Sequence, residues 1–88
     1  MKIKQGFLLR EVGSLSVVIA VGEKAQDFHK ILTLNPTGAI LFKLLQNGAD
    51  MGVLTNALCE KFGIDKTTAE NDVTAFLEKL TTLDLVEN

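Results

Sequence analysis

At Asn35-Pro36 the hydrophobic pattern of this 88-residue chain changes period. Before that point apolar residues cluster in short runs rich in Val, Ile and Leu, the pattern of strands. After it they recur at three- and four-residue spacing, the pattern of helices. The chain must therefore place its strands first and its helices last. Asn35-Pro36 is itself a helix start, because Asn is a good N-cap and Pro at the first helical position already has the φ of a helix.

Ahead of this junction, residues 7–12 and 15–21 read as two strands joined by Gly13-Ser14. Gly followed by a small polar residue suits a two-residue hairpin, since Gly tolerates the positive φ such turns need. In the second strand Leu15, Val17, Ile19 and Val21 share one face, and Ser16, Val18 and Ala20 share the other. The first face is expected to meet the core. Residues 22–30 are polar and read as a loop. Residues 31–34, Ile-Leu-Thr-Leu, form a short third strand, stopped by the proline.

Behind the junction the spacing predicts three helices. The first runs over 36–46 with Ile40, Leu41, Leu44 and Leu45 on its apolar side, and Asn47-Gly48 ends it. Asp50 caps the second, over 51–62, whose stripe is Leu54, Ala57, Leu58 and Phe62, with Gly63 as its stop. Asp65 opens the third, where Ala69, Val73, Phe76, Leu77, Leu80 and Leu83 make the clearest stripe in the chain. Leu85-Val86 adds a short extended end. The expected fold is α+β: a three-stranded antiparallel sheet followed by three helices, resembling a winged helix. Leu44, Leu58, Val73, Phe76 and Leu80 are expected in one core. Three strands cannot bury a face alone, so the helices must cover them.

Residues 1–88 suffice for one domain. The formal net charge is −2, with acids and bases mixed, so charge names no partner. The start of the chain is not a signal peptide, and no apolar run is long enough for a bilayer. A single cysteine, Cys59, excludes an internal disulfide and fits a reducing cytoplasm.

Catalytic chemistry finds no footing. The only histidine, His29, sits in the polar loop, and general base work needs a positioned partner. Cys59 reads as a half-buried small apolar residue. One Cys and one His cannot build a structural zinc site, and no acidic cluster has calcium-loop spacing. The seven glycines are scattered and form no phosphate-cradling loop, so no cofactor is implied. Gly38, one turn into the first helix, allows close packing there. DNA binding is disfavoured as well. The third helix bears Lys66, Glu70, Asp72, Glu78 and Lys79, and the only Arg of the chain, Arg10, lies in the first strand. Such a surface repels phosphate.

The run Phe28-His29-Lys30-Ile31-Leu32-Thr33-Leu34-Asn35-Pro36-Thr37-Gly38-Ala39 resembles the signature of the PqqD family, in which a short strand ends in Leu-Asn and Thr-Gly-Ala opens a helix. Residues 69–80, with Asp72-Val73, Phe76-Leu77 and Leu80, resemble its third helix. Leu83-Asp84-Leu85-Val86 is similar to the family's closing Gly-Leu-Val, with Asp84 where Gly is usual. Leu9-Arg10-Glu11-Val12 and the strand after it fit too, so the likeness spans nearly the whole chain.

The resemblance implies a RiPP recognition element: three strands, three helices, and no chemistry of its own. Its implied partner is the leader of a ribosomally made precursor peptide, bound as an extra strand beside strand three and against helix three. A modifying enzyme, often a radical S-adenosylmethionine protein, then receives the leader, a step in natural product biosynthesis. A chain ending at Asn88 would be the stand-alone form. The implied site is Ile31, Leu32, Thr33 and Leu34 on the strand and one flank of the third helix, either Asp72, Phe76 and Lys79 or Glu70, Leu77 and Asp84. The first flank is expected, because Phe76 can form an apolar floor with Asp72 and Lys79 as polar edges. Ile31 and Thr33 point one way, Leu32 and Leu34 the other. An exposed edge strand could also support a homodimer. The competing reading is a winged-helix interaction or regulatory domain without leader binding.

Overall fold

The computed structural model describes residues 1–27 and 32–87. Its elements are β1 (Lys2–Ile3), β2 (Phe7–Val12), β3 (Leu15–Ala20), α1 (Lys24–Asp27), β4 (Leu32–Leu34), α2 (Pro36–Gln46), α3 (Met51–Phe62), α4 (Lys66–Thr82) and β5 (Val86–Glu87). The three-stranded antiparallel sheet has the order β2-β3-β4, and α2, α3 and α4 follow it in the chain. His29 and Ile31, singled out above, lie outside the described residues.

Local chemistry accounts for most boundaries. Val12 pairs with Leu15 across the two-residue Gly13-Ser14 turn, and Gly13 takes φ 62°, which an L side chain resists. The Asn35, Asp50 and Asp65 side chains each accept a backbone N–H at the start of α2, α3 and α4, from Gly38, Val53 and Thr68 respectively. The segment expected as a loop over 22–30 is not all loop: the Ala25 N–H donates to the Gly22 carbonyl at 3.1 Å and Lys24–Asp27 form one helical turn.

The inward face of β3 is the opposite of the expected one. Val18 is fully buried, whereas Leu15 is 54% exposed and Val17 and Ile19 are half-buried. Register explains the inversion. Val18 stands opposite Leu9 on β2 and Leu32 on β4, so its face continues across the sheet into buried Leu32 and Leu34. Val17 stands opposite Arg10 and exposed Thr33, a side that faces outward.

The core joins the inner face of the sheet to Leu41, Phe42 and Leu45 of α2, Leu54 and Leu58 of α3, and Ala69, Val73 and Leu80 of α4. Of the five expected core residues, Leu58, Val73 and Leu80 are fully buried; Leu44 and Phe76 are half-buried at its margin. Phe42, outside the predicted stripe, is fully buried in the same core, and α2 packs on β1 as well as on the larger sheet.

The two ends of the chain meet. β1 pairs antiparallel with β5, and the Lys4 N–H donates to the Leu85 carbonyl at 2.9 Å. Asp84, between α4 and β5, adopts φ 61°, the one non-glycine residue with positive φ among those described. Asp tolerates that region better than most residues. Its carboxylate accepts a hydrogen bond from the Lys4 ammonium, and that contact holds its pKa below the ordinary value of 3.8.

Candidate peptide-binding groove

β4 runs straight into α2 through Asn35. The Asn35 carboxamide oxygen accepts the Gly38 N–H at 2.7 Å, and Pro36 occupies the first helical turn. One wall of a groove is thereby made from the end of β4 and the start of α2. The opposite wall is α4, which follows its Asp65 cap for 17 residues. The Asp65 carboxylate accepts the Thr68 N–H at 2.7 Å, and hydrogen bonding to Thr68 keeps its pKa below the usual 3.8.

Ala69, Val73 and Leu80 commit one side of α4 to the core. That orientation turns Asp72, Ala75, Phe76 and Lys79 toward the groove, since residues three, four and seven apart share a helix face. The groove holds about 480 Å³ and is lined by Thr33, Leu34, Asn35, Thr37, Gly38 and Leu41 opposite those four. Its depth depends on Gly38. A Cβ built there would lie 3.1 Å from Cε1 of Phe76 and 3.3 Å from Oδ1 of Asn35, so the bare backbone is what lets the ring sit close.

Five of the seven residues expected at the site come together here: Thr33, Leu34, Asp72, Phe76 and Lys79. The side chain of Leu32, 6% exposed, faces the core instead and does not line the groove. Ile31 is outside the described residues. The groove also takes in Asn35, Thr37, Gly38, Leu41 and Ala75, which sequence reasoning did not place there. Asn35, Thr37 and Gly38 lie in the signature run, but read as a cap and a helix start. Nothing in the pattern marks Ala75.

Between Asp72 and Lys79 the α4 wall is aromatic and small. Both charged residues are exposed, and neither makes an ion pair among the described residues. β4 is an edge strand, with β3 on one side and, among the described residues, no strand on the other. In an antiparallel ladder alternate residues turn their N–H and C=O to opposite sides. Either Thr33, or Leu32 and Leu34 together, therefore offer backbone groups to the open edge.

Of the residues weighed for chemistry, Cys59 is a free thiol packed half-buried against the core. Among the described residues no group of His, Cys, Asp and Glu is placed to hold a metal, and no helix is long and apolar enough to cross a membrane.

The family model described as coenzyme PQQ synthesis protein D, PqqD, matches residues 16–86, a stretch that includes every groove residue. Two solved structures share the fold. One, described as "TbiB1 in Complex with the TbiA(beta) Leader Peptide", superposes with a TM-score of 0.82 at 24% identity, covering 100% of this chain and 96% of that one. The other, described as "Lasso peptide synthetase B1 complexed with the leader peptide", gives 0.77 at 17% identity, with 99% and 96% covered. No curated protein sequence matches.

Proposed function

The chain belongs to the PqqD family, and from that premise we propose that it captures the leader segment of a ribosomally made precursor peptide and presents it to a modifying enzyme. The leader adds as a strand to the open edge of β4 and rests its side chains on Phe76. The observation that carries this reading is the coincidence of a strand edge that no described residue pairs with and an apolar-floored groove along its side. Backbone pairing at such an edge supplies affinity, and side-chain pockets supply selection. Both structural likenesses are described as complexes with leader peptides, which supports the same reading.

On this reading the receiver is a modifying enzyme, of which the radical S-adenosylmethionine type is one candidate, and the chain itself performs no chemical step. His29→Ala and Cys59→Ser are then expected to leave that enzyme's turnover unchanged. The regulatory winged-helix reading has less behind it, since α4 carries more acid than base along its length.

Titration with a candidate leader, followed by NMR of the backbone amides, tests the proposal. The amides of β4 and α4 are expected to shift, and those of the Gly13-Ser14 turn and α3 to stay. Pro at position 33, or at 32 and 34, removes a ladder donor and is expected to abolish binding at whichever set faces the edge. Sedimentation of the free protein tests the alternative use of that edge, pairing of two copies. Shifts confined to the turn and α3 would place the peptide elsewhere.

A further inference from the structure

A three-residue edge is too short to decide where an added strand begins. Sliding the strand by two residues returns the same side-chain face to the groove and alters few backbone bonds. Selection of register then falls to the walls.

The two walls differ in kind. Toward β4 and α2 the polar groups are those of Thr33, Asn35 and Thr37, all uncharged. Toward α4 they are a carboxylate and an ammonium with an aromatic ring between. Asp72, Phe76 and Lys79 stand in one row, and the row from acid to base is about 10 Å long, seven residues of helix rise. Among the described residues no other charged residue lines the groove. Among the described residues neither charge has an ion-pair partner, so neither is neutralised by them before a ligand arrives.

We infer that the α4 wall is a charge-polarised register gauge: it selects a strand whose apolar residue sits over Phe76, with a cationic residue two positions to one side, at Asp72, and an anionic residue two positions to the other, at Lys79. This rests on the leader-binding reading. Groove-facing side chains of a strand recur about every 6.7 Å, so the flanking pair spans about 13 Å, and long charged side chains absorb the difference from the row on the helix. A slip of one residue turns the apolar side chain away from the groove. A slip of two sets a charge over the ring. Reversing the strand puts like charges together at both ends, and rejection of the wrong partner by like charge is a strong source of specificity. The order of charges in the preferred peptide thus reports the direction in which it lies.

The probe is a set of four nine-residue synthetic peptides with a central Leu in a Thr/Val background. The residues two before and two after Leu are Lys/Glu, Glu/Lys, Lys/Lys or Glu/Glu. Binding is followed by fluorescence anisotropy, and the site by amide shifts. Each exposed charge pair is worth a factor of about 2 to 5. One mixed-order peptide is therefore expected to bind roughly 10-fold tighter than the other, with the like-charge peptides between them, and added salt to compress the range. Combining Asp72→Lys with Lys79→Asp is expected to invert the preference between the two mixed orders. Asp72→Asn with Lys79→Gln, which removes both charges and keeps both side chains polar, is expected to abolish it, and circular dichroism checks that both variants fold. If all four peptides shift β4 and α4 but bind alike, or the swap fails to invert the order, the gauge is wrong and leader capture stands. If none shifts β4 or α4, the groove is not a strand-binding site and both readings fall.

Discussion

α4 and β3 bury their apolar residues by different rules. α4 and its C-cap carry an apolar stripe of Ala69, Val73, Phe76, Leu77, Leu80 and Leu83, all buried or half-buried, and apart from Ala75 the helix is otherwise polar. β3 carries apolar side chains on both faces, yet only Val18 is fully buried while Leu15 is over half exposed. An amphipathic helix brings its inner side with it. A strand that is apolar on both sides receives its inner side from the strands it pairs with, here Leu9 and Leu32 opposite Val18. The outer face of the sheet keeps its apolar character, with Leu8 and Val12 also exposed.

The largest test of this contrast lies on α4. Leu80 is completely buried, and Leu80→Ala is expected to lower stability by about 2–5 kcal/mol in urea unfolding, from lost transfer energy plus the cavity left behind. A variant as stable as the parent would remove the stripe from the core and with it the orientation of Asp72, Phe76 and Lys79.

A smaller and sharper test compares neighbours on β3. Thr matches Val in shape and strand preference but adds a hydroxyl. At position 18 that hydroxyl is buried, and Val18→Thr is expected to cost about 1–3 kcal/mol. At position 17 it meets solvent on the outer face, and Val17→Thr is expected to stay within about 0.5 kcal/mol of the parent. Equal costs would break the assignment of faces.

The smallest effect is at the two ends of α4, and it depends on pH. Asp65 and Asp84 both hold their protons less tightly in the folded chain than the ordinary value of 3.8 implies. A carboxylate with a depressed folded pKa contributes stability that is fully present above its unfolded value and is lost as pH falls through the folded one. Stability is therefore expected to be flat in this respect above about pH 4 and to decline below it. Asp65→Asn and Asp84→Asn should each flatten that decline in acid titrations followed by circular dichroism. At position 84 Asn tolerates the left-handed backbone, so its effect isolates the loss of the Lys4 contact.

The groove was legible in part, and unevenly. Asp72, Phe76 and Lys79 could be grouped because helix geometry fixes which residues share a side. Which flank of α4 borders the groove depends on β4, a contact made across nearly forty positions of chain. On β4 the alternation separated Leu32 and Leu34 from Thr33 but could not say which set was inside. Phe42, fully buried on α2, lies outside the stripe that helical spacing marked.

What the amino-acid sequence determined by itself is whatever a few neighbouring residues decide: the hairpin at Gly13-Ser14, the caps at Asn35, Asp50 and Asp65, the spans of α2, α3 and α4, and the order of strands before helices. These follow from φ preferences, side-chain-to-backbone hydrogen bonds and periodicity, all short in range. Tertiary structure alone decided the inner face of β3, the closure of the chain ends through β1 and β5, and the close approach of Phe76 to Gly38. Each of these is a choice between locally equivalent arrangements, and only contacts between distant segments distinguish them.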